Sequence, residues 1–347
     1  MGRAGRAVAV RGRAVEHPAG DAGGGRPPGA VTRRMLVLRA LGLGDLLTGV
    51  PALRALRRAY PGHELILAAP PELAEAAAAT GAVDTLLPAS APGRAVPGPL
   101  PWTGPPPDVA VDLHGNGPPS HRLLLALGPA RLLAFAHPET PEVDGPPWFR
   151  HEHERERWCR LLRAYGIPAD ARDLALPRPP GASPAPGAVV VHPGAASAAR
   201  RWPAERYAAV VRELLRRGHR VAVTGGPGEE ELVAAVSVGG ADAFPGGLPF
   251  GTLSALVAGA TAVISGDTGP AHLAVACATP SVTLFGPVPP ALWGPPPSPL
   301  HAALWHPGPA GDPHGGQPDP LLLRIGTAEV LRAALGVMAR RRVCPAS

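Results

Sequence analysis

An acidic residue follows directly on a pair of glycines near the start of the patterned chain. The stretch "LRALGLGDLLTGVPALRALRRAYPG" carries Gly42, Gly44 and Asp45 just after a short apolar strand. Glycines at such a turn are typical of helix N-termini that bind phosphate, where a carboxylate would repel the ligand. The dinucleotide fingerprint G-x-G-x-x-G is also incomplete, because position 47 is Leu. Phosphate binding at this turn is therefore not favoured.

Two roles remain open for Asp45. Aspartate is a preferred N-cap, where it accepts hydrogen bonds from the first helical turn and interacts well with the helix dipole. Held at the edge of a cleft, the same carboxylate could accept a proton from a substrate hydroxyl as a general base. Gly42 and Gly44 would let the backbone turn tightly before it. Capping and catalysis are compatible only if one carboxylate oxygen remains free.

The second half of the chain contains a candidate anion site in "HPGAASAARRWP". A strand ends there in a turn at Gly194, followed by Ser197 and by Arg200 and Arg201 just before a helix. Backbone N–H groups together with arginine are suited to a diphosphate. Two solvated arginines on a loop are the alternative.

Acidic residues follow the next glycine turn, in "GGPGEEELV". Glu229, Glu230 and Glu231 occupy the first turn of a predicted helix, where the helix dipole favours acids. One of them could instead bind the diol of a ribose, as acids do in nucleotide-binding folds.

A third stretch, "SGDTGPAHLAVA", places Asp267, Thr268 and Gly269 between a strand and a helix. Pro270 suits the first helical turn, and the N–H groups of that turn can bind an anion. Asp-Thr-Gly also opens the active-site loop of aspartic proteases, but those proteins are all-β and here the motif begins an Ala-rich helix. His272 could face the site or be a buried packing residue.

The elements that must position these residues alternate between short apolar strands and helices from Met35 onward. Continuous apolar strands are typical of parallel sheets covered on both faces. The pattern predicts two α/β halves with a ligand cleft at the carboxyl ends of their sheets. We expect Pro51 to kink the first helix or to mark a restart, and "RHEHERERWCRLLRAYG" to form an exposed helix.

Charge and composition limit the classes of partner. The net charge is +6, but residues 1–34 hold seven Arg against two acids, so the rest of the chain is close to neutral and nucleic-acid binding is not favoured. No run reaches the roughly 18 apolar residues of a membrane helix, and the start lacks a signal-peptide core. The chain contains no Lys, so we expect phosphate contacts from Arg. Cys159, Cys277 and Cys344 lack metal-site spacing, which predicts a reduced cytoplasmic chain without structural zinc.

Taken together, four stretches resemble glycosyltransferase family 9, the heptosyltransferase-like family: "GLGDLLTGVPALRALRRAYPG", "VVVHPGAASAARRWPAERYAAVV", "GGPGEEELVAAV" and "ISGDTGPAHLAVACATPSVTLFGP". The resemblance implies a GT-B architecture, in which two Rossmann-like domains with parallel sheets face a central cleft. It also implies an inverting, metal-independent transferase without a cofactor. The family's catalytic Asp falls on Asp45. Its basic diphosphate contact, usually Lys, falls on Arg200, and its ribose-binding acid falls on Glu229. Its D-T-G-x-x-H block, at the donor phosphate, falls on Asp267, Thr268, Gly269 and His272.

Composition and pattern, together with the resemblance, give the predicted domains. They are a disordered Arg/Gly-rich tail (1–33), an acceptor-binding domain (34–170), a linker (171–187), a nucleotide-sugar-binding domain (188–325) and a terminal helix (326–347) that can cross back to the first domain. Ser197 is expected beside Arg200 at the diphosphate, and the Pro/Gly-rich loop from Ala89 to Pro107 on the acceptor side.

The function implied is transfer of a sugar, with heptose as one candidate, from a nucleotide-diphosphate donor to a saccharide or glycolipid acceptor in cell-envelope glycan synthesis. The expected location is the cytoplasm, with peripheral association at the inner face of the plasma membrane left open. Two alternatives stay open: a GT-B sugar-nucleotide epimerase, and a non-catalytic nucleotide-binding module.

Overall fold

The computed structural model describes residues 33–309 and 311–343, with side chains through residue 340. The predicted tail lies outside the described residues except for Arg33, which begins the first strand. Cys344 also lies outside them. Among the described residues, no helix is long and apolar enough to cross a membrane.

The first lobe is a five-stranded parallel sheet flanked by helices. Its strands are β1 (Arg33–Leu38), β2 (His63–Ala69), β3 (Thr85–Pro88), β4 (Val109–Asp112) and β5 (Arg131–Leu133), in the order β3-β2-β1-β4-β5. Its helices are α1 (Leu43–Ala59), α2 (Ala74–Ala79), α3 (Pro118–Leu125) and α4 (Glu154–Ala164), and a short 3-10 turn covers Pro92–Arg94. β1 and β4 are apolar and buried along most of their length, as expected for strands covered on both faces.

The second lobe is a six-stranded parallel sheet with helices on its faces. Its strands are β6 (Val189–His192), β7 (Val221–Thr224), β8 (Asp242–Phe244), β9 (Ala262–Gly266), β10 (Ser281–Leu284) and β11 (His301–Leu304), in the order β11-β10-β9-β6-β7-β8. Its helices are α5 (Ala204–Arg216), α6 (Glu230–Val236), α7 (Phe250–Ala258), α8 (Gly269–Ala276), α9 (Pro290–Trp293), α10 (Pro320–Leu323) and α11 (Thr327–Val343), and a 3-10 turn covers Ala198–Arg200. The predicted pair of parallel α/β halves is confirmed.

The structure revises what the sequence suggested for three helices. Helix α1 does not restart at Pro51 but runs through it, because buried Leu46 and Leu53 hold the turns on both sides of it against the roughly 3 kcal/mol that an interior proline costs. Helix α4 is not an exposed helix, since Trp158 and Leu162 pack into the core of the first lobe.

The described part of the terminal helix α11 packs within the second lobe. Val330, Ala334 and Val337 are buried and repeat at helical spacing, so they form one apolar face. That face belongs to the core of the second lobe, where it packs with strands β9 to β11 and helix α5.

The lobes meet where the first turns of α1 and α8 approach each other. A Cβ on Gly44 would lie 2.9 Å from Cδ2 of His272, and a Cβ on Gly269 would lie 3.1 Å from Cδ2 of Leu43. Gly42 has an ordinary extended backbone (φ −76°, ψ 179°), so the expected tight turn is not the reason for glycine there. Glycine at positions 44 and 269 lets the two helices come together at the cleft.

Candidate active site

A cleft of about 850 Å³ opens between the two lobes at the carboxyl ends of their sheets. The predicted site residues that line it are Gly42, Gly44, Asp45, Arg200, Glu229, Asp267, Thr268, Gly269 and His272. Several further side chains of the cleft wall were not predicted, notably Arg94, Trp293 and His314. The cleft therefore brings together predicted residues from four separate stretches of the chain.

Asp45 presents its carboxylate to this cleft from the first turn of α1. The side chain is only 5% exposed, and the Arg94 guanidinium donates to both oxygens, at 2.6 Å (Nη2 to Oδ1) and 2.9 Å (Nη1 to Oδ2). The capping alternative is wrong, because the N-cap of α1 is Gly42 and no side chain caps the helix. The condition of a free oxygen is not met in this conformation, since Arg94 engages both.

The electrostatics around Asp45 favour the carboxylate anion. Burial acts to raise the pKa of Asp45, but the charges of Arg39, Arg94 and His272 and the hydrogen bonds from Arg94 outweigh it, so the pKa lies below its usual value. Asp45 is therefore ionised at neutral pH, as a proton acceptor must be.

Arg94 reaches Asp45 from the Pro/Gly-rich loop that the sequence placed on the acceptor side. Gly93 (φ 62°) and Arg94 (φ 65°) both adopt the left-handed conformation, which non-glycine residues rarely do. This turn carries the Arg94 guanidinium, 41% exposed, to the cleft. The sequence offered only a weak signal for this residue: one basic side chain in an irregular loop.

A second arginine, Arg39, is fully buried and binds the backbone of Asp45 on the side away from the cleft. Arg39 donates hydrogen bonds to the carbonyl oxygens of Asp45 and Leu113, to Thr48 Oγ1 at 3.1 Å and to Glu154 Oε1 at 3.2 Å. Glu154 in turn pairs with Arg157. A Cβ on Gly49 would lie 2.9 Å from Arg39 Nε, so glycine on α1 makes room for the guanidinium. The first turn of α1 is thus fixed by a buried ionic network.

On the second lobe, Arg200 ends the 3-10 turn that follows β6. Its Nη1 lies 3.4 Å from the carbonyl oxygen of Asp267, which is a weak contact. Its Nε is buried and, among the described residues, has no hydrogen-bond partner. Buried donors are ordinarily satisfied, so this guanidinium retains capacity for an acceptor from a ligand.

Glu229 lies beside the predicted anion site, packed over Gly194. A Cβ on Gly194 would fall 1.8 Å from Glu229 Oε2, so only glycine permits the carboxylate to lie there. The carboxylate accepts from the Gly226 N–H at 2.8 Å and pairs with Arg201 at 3.4 Å. Gly194 is not one of the described residues that line the cleft. It makes space for Glu229, which does line it.

Ser197 was expected at the diphosphate, but it is not one of the described residues that line the cleft. Its hydroxyl donates to the carbonyl oxygen of Pro313 at 2.6 Å. The hydrogen bond turns the side chain toward the loop that precedes α10, so a direct diphosphate contact is not supported.

The D-T-G-x-x-H stretch lies at the junction of β9 and α8, as its local pattern predicts. Thr268 is the N-cap residue of α8, and Pro270 lies in the first turn. His272 Nε2 lies 3.3 Å from Asp267 Oδ1, and the Trp293 ring meets the His272 ring edge-on with centroids 6.0 Å apart. His272 is thus held at the cleft by a carboxylate and an aromatic ring.

Two parallel-sheet α/β lobes facing one cleft define a protein of GT-B fold. Residues 170–309 match the model of glycosyltransferase family 9 (heptosyltransferase). Lipopolysaccharide heptosyltransferase 3 of Escherichia coli is 32% identical over 113 residues, which cover 31% of this chain and 33% of the relative. The match therefore spans about a third of that relative.

Solved structures agree over the whole fold. The structure of E. coli ADP-heptose lps heptosyltransferase II is similar with a TM-score of 0.70 at 19% identity, covering 89% of this chain and 99% of that chain. E. coli heptosyltransferase WaaC with ADP is similar with a TM-score of 0.64 at 19% identity, covering 86% and 98%. Together the matches show similarity to glycosyltransferase family 9 over residues 170–309 and the GT-B fold over most of the chain.

Proposed function

We propose that this protein is an inverting glycosyltransferase that moves a sugar from a nucleotide-diphosphate donor to a saccharide or glycolipid acceptor. The observation that carries the proposal is that Asp45 of the first lobe and Arg200 of the second line one cleft. A heptose donor is the first candidate, because the related proteins are named as heptosyltransferases. The epimerase and the non-catalytic module are not favoured by these matches.

The donor diphosphate is proposed to bind on the second lobe. Arg200 and the N–H groups of the first turn of α8 would hold the phosphate oxygens, because both present donors or positive charge to the cleft. Glu229 would accept hydrogen bonds from the ribose hydroxyls. Support for a diphosphate ligand comes from the similar WaaC structure, which is described with ADP.

The acceptor is proposed to bind against the first lobe, where it must displace Arg94 from at least one oxygen of Asp45. Withdrawal of Arg94 removes two causes that lower the pKa of Asp45, its charge and its hydrogen bonds. The carboxylate would then be both accessible and a stronger proton acceptor. The left-handed turn at Gly93 and Arg94 is where the loop would reorient.

In the proposed reaction, Asp45 accepts the proton of an acceptor hydroxyl while that oxygen attacks the anomeric carbon. The attack comes from the face opposite the departing diphosphate, so the configuration inverts. Arg200 and the dipole of α8 would stabilise the negative charge that develops on the leaving group. Among the described residues, no group of three or more His, Cys, Asp or Glu side chains is placed to hold a metal ion. Independence of metal stays a prediction, and so does association with the membrane.

The proposal is tested first by donor binding and then by turnover. Thermal-shift screening against ADP-, GDP-, UDP- and dTDP-linked sugars is expected to show stabilisation by one of them, because ligands that bind only the native state raise its stability. Transfer to a saccharide acceptor in the presence of EDTA, with the anomeric configuration measured by NMR, tests inversion and metal independence. Isomerisation of the nucleotide sugar without an acceptor would instead support the epimerase. No binding of any nucleotide sugar would overturn the proposal.

The Arg200→Ala variant is expected to bind the donor roughly 10- to 100-fold more weakly, the range that one or two charge-assisted hydrogen bonds supply. Isothermal titration with the selected nucleotide sugar measures the change. Arg220→Ala, which removes an exposed arginine paired with Asp242 on the same lobe, serves as the control and should bind normally. An unchanged affinity in Arg200→Ala would exclude its diphosphate role.

The Arg94→Ala variant is expected to shift the acid limb of the kcat/KM profile to higher pH. The pKa of Asp45 in the free enzyme is lowered partly by Arg94, so removing that cation raises it. The measurement is the transfer rate at subsaturating acceptor across the acidic range. Arg163→Ala, an exposed arginine of the first lobe paired with Glu156, should leave the profile in place. A profile unchanged in Arg94→Ala would show that Asp45 does not control the acid limb.

A further inference from the structure

A loop of the second lobe folds back over the predicted anion site. We call residues 305–309 and 311–319, between β11 and α10, the return loop. Three hydrogen bonds hold it against the turn that carries Arg200. Ser197 Oγ donates to Pro313 O at 2.6 Å, Ala199 N donates to Gly315 O at 3.1 Å, and Asp319 N donates to Ala199 O at 3.2 Å. The return loop is therefore fixed in position beside Arg200.

His314 lies between Pro313 and Gly315, whose carbonyl oxygens accept the hydrogen bonds from Ser197 and Ala199. His314 lines the cleft together with Ala195, Ala196 and Arg200. The residue is exposed, and within the described chain no hydrogen bond engages its ring nitrogens. An imidazole ring always carries at least one N–H donor, and it carries a positive charge when protonated. His314 can therefore offer a hydrogen bond to a ligand in the cleft.

The residues that line the cleft beside the return loop supply few other side-chain donors or positive charges for an anionic ligand. Arg201 Nη2 lies 3.4 Å from Glu229 Oε1, so the charge of Arg201 is balanced by that carboxylate. Arg200, the other arginine beside the return loop, has no carboxylate partner among the described residues. Ala195 and Ala196 have no side-chain donors. A diphosphate carries at least two negative charges and several acceptor oxygens, more than one guanidinium can satisfy.

We infer that His314 is a second side-chain ligand of the donor diphosphate, and that Ser197 is a positioning residue that holds His314 there through Pro313. The inference rests on the proposed function, because it assumes a nucleotide-diphosphate donor. It assigns Ser197 an indirect role in place of the direct phosphate contact that the sequence suggested. The inference also adds a histidine to the arginine side chains expected to contact phosphate in this chain, which has no Lys.

The test compares a nucleoside diphosphate with its nucleoside. Of ADP, GDP, UDP and dTDP, the one that wild-type protein binds most tightly is titrated into His314→Ala, together with the corresponding nucleoside. We expect affinity for the diphosphate to fall roughly tenfold, as for loss of one hydrogen bond to a charged group, and affinity for the nucleoside to stay unchanged. His151→Ala removes an exposed histidine of the first lobe and is the control for a surface substitution.

The positioning role of Ser197 has its own readout. Ser197→Ala should weaken diphosphate binding in the wild-type background and have no further effect in the His314→Ala background, because the two residues act as one unit. Ser197→Thr keeps the hydroxyl and should restore binding. Additive losses in the double variant would overturn the positioning role.

Two results would overturn the inference for His314: unchanged diphosphate affinity in His314→Ala, or an equal loss for nucleoside and diphosphate. Failure of the wild-type protein to bind any of the four diphosphates would instead count against the proposed function itself. The two failures are thus distinguishable in the same titrations.

Discussion

The Asp45→Asn variant is expected to bind the nucleotide donor like the wild-type protein and to transfer sugar about 10²- to 10⁴-fold more slowly, the range a general base contributes. Asparagine has nearly the same shape, which matters at a position where the side chain is only 5% exposed. Its amide oxygen can still accept one hydrogen bond from Arg94, but it cannot take the proton of the acceptor hydroxyl. Single-turnover transfer rates and donor titrations measure the two quantities separately.

The control for Asp45→Asn is Asp242→Asn on the second lobe. Asp242 also pairs with an arginine, with 2.7 Å between its Oδ2 and Arg220 Nε, but it lies on the edge strand β8 and does not line the cleft. Its substitution should change neither binding nor turnover. Turnover close to that of the wild type in Asp45→Asn would leave Asp45 a structural partner of Arg94.

The second large effect is expected on stability, in Arg39→Met. Methionine fills much of the same volume but leaves the carbonyl of Leu113 without this donor and removes one partner of the buried Glu154 carboxylate. Breaking a buried ionic network by removing one partner costs about 3–5 kcal/mol of the free energy of unfolding. The shift of the midpoint of urea denaturation, compared with the wild type, measures this loss of stability. Arg39→Lys keeps the charge but not the planar fork of donors, so it should lose less stability than Arg39→Met.

The control for Arg39→Met is Arg172→Met, which removes an exposed ion pair with Asp170 and should not shift the midpoint measurably. An unfolding midpoint of Arg39→Met equal to that of the wild type would show that the buried network contributes no net stability.

Much of the fold could be predicted because it depends on local patterns. The junction of β9 and α8 was located correctly from Thr268, Gly269 and Pro270, since helix starts depend on a few adjacent residues. Short elements such as β5 and β8, with three residues each, were missed because so few residues carry no measurable periodicity. Helix α4 was assigned to the surface because its charges are visible in the sequence, whereas the buried partners of Glu154 and Arg157 are not.

By itself the sequence determined the alternation of strands and helices, the family resemblance and the placement of Asp45 and Arg200 in the segments that follow strands β1 and β6, because these depend on neighbouring residues. Only the tertiary structure decided which groups that are distant in the sequence meet at and beside the cleft. Arg94 pairs with Asp45 from 49 positions away, and Ser197 bonds to Pro313 from 116 positions away. Such contacts arise when the folded lobes and loops close on one another, and the closure depends on packing over the whole chain.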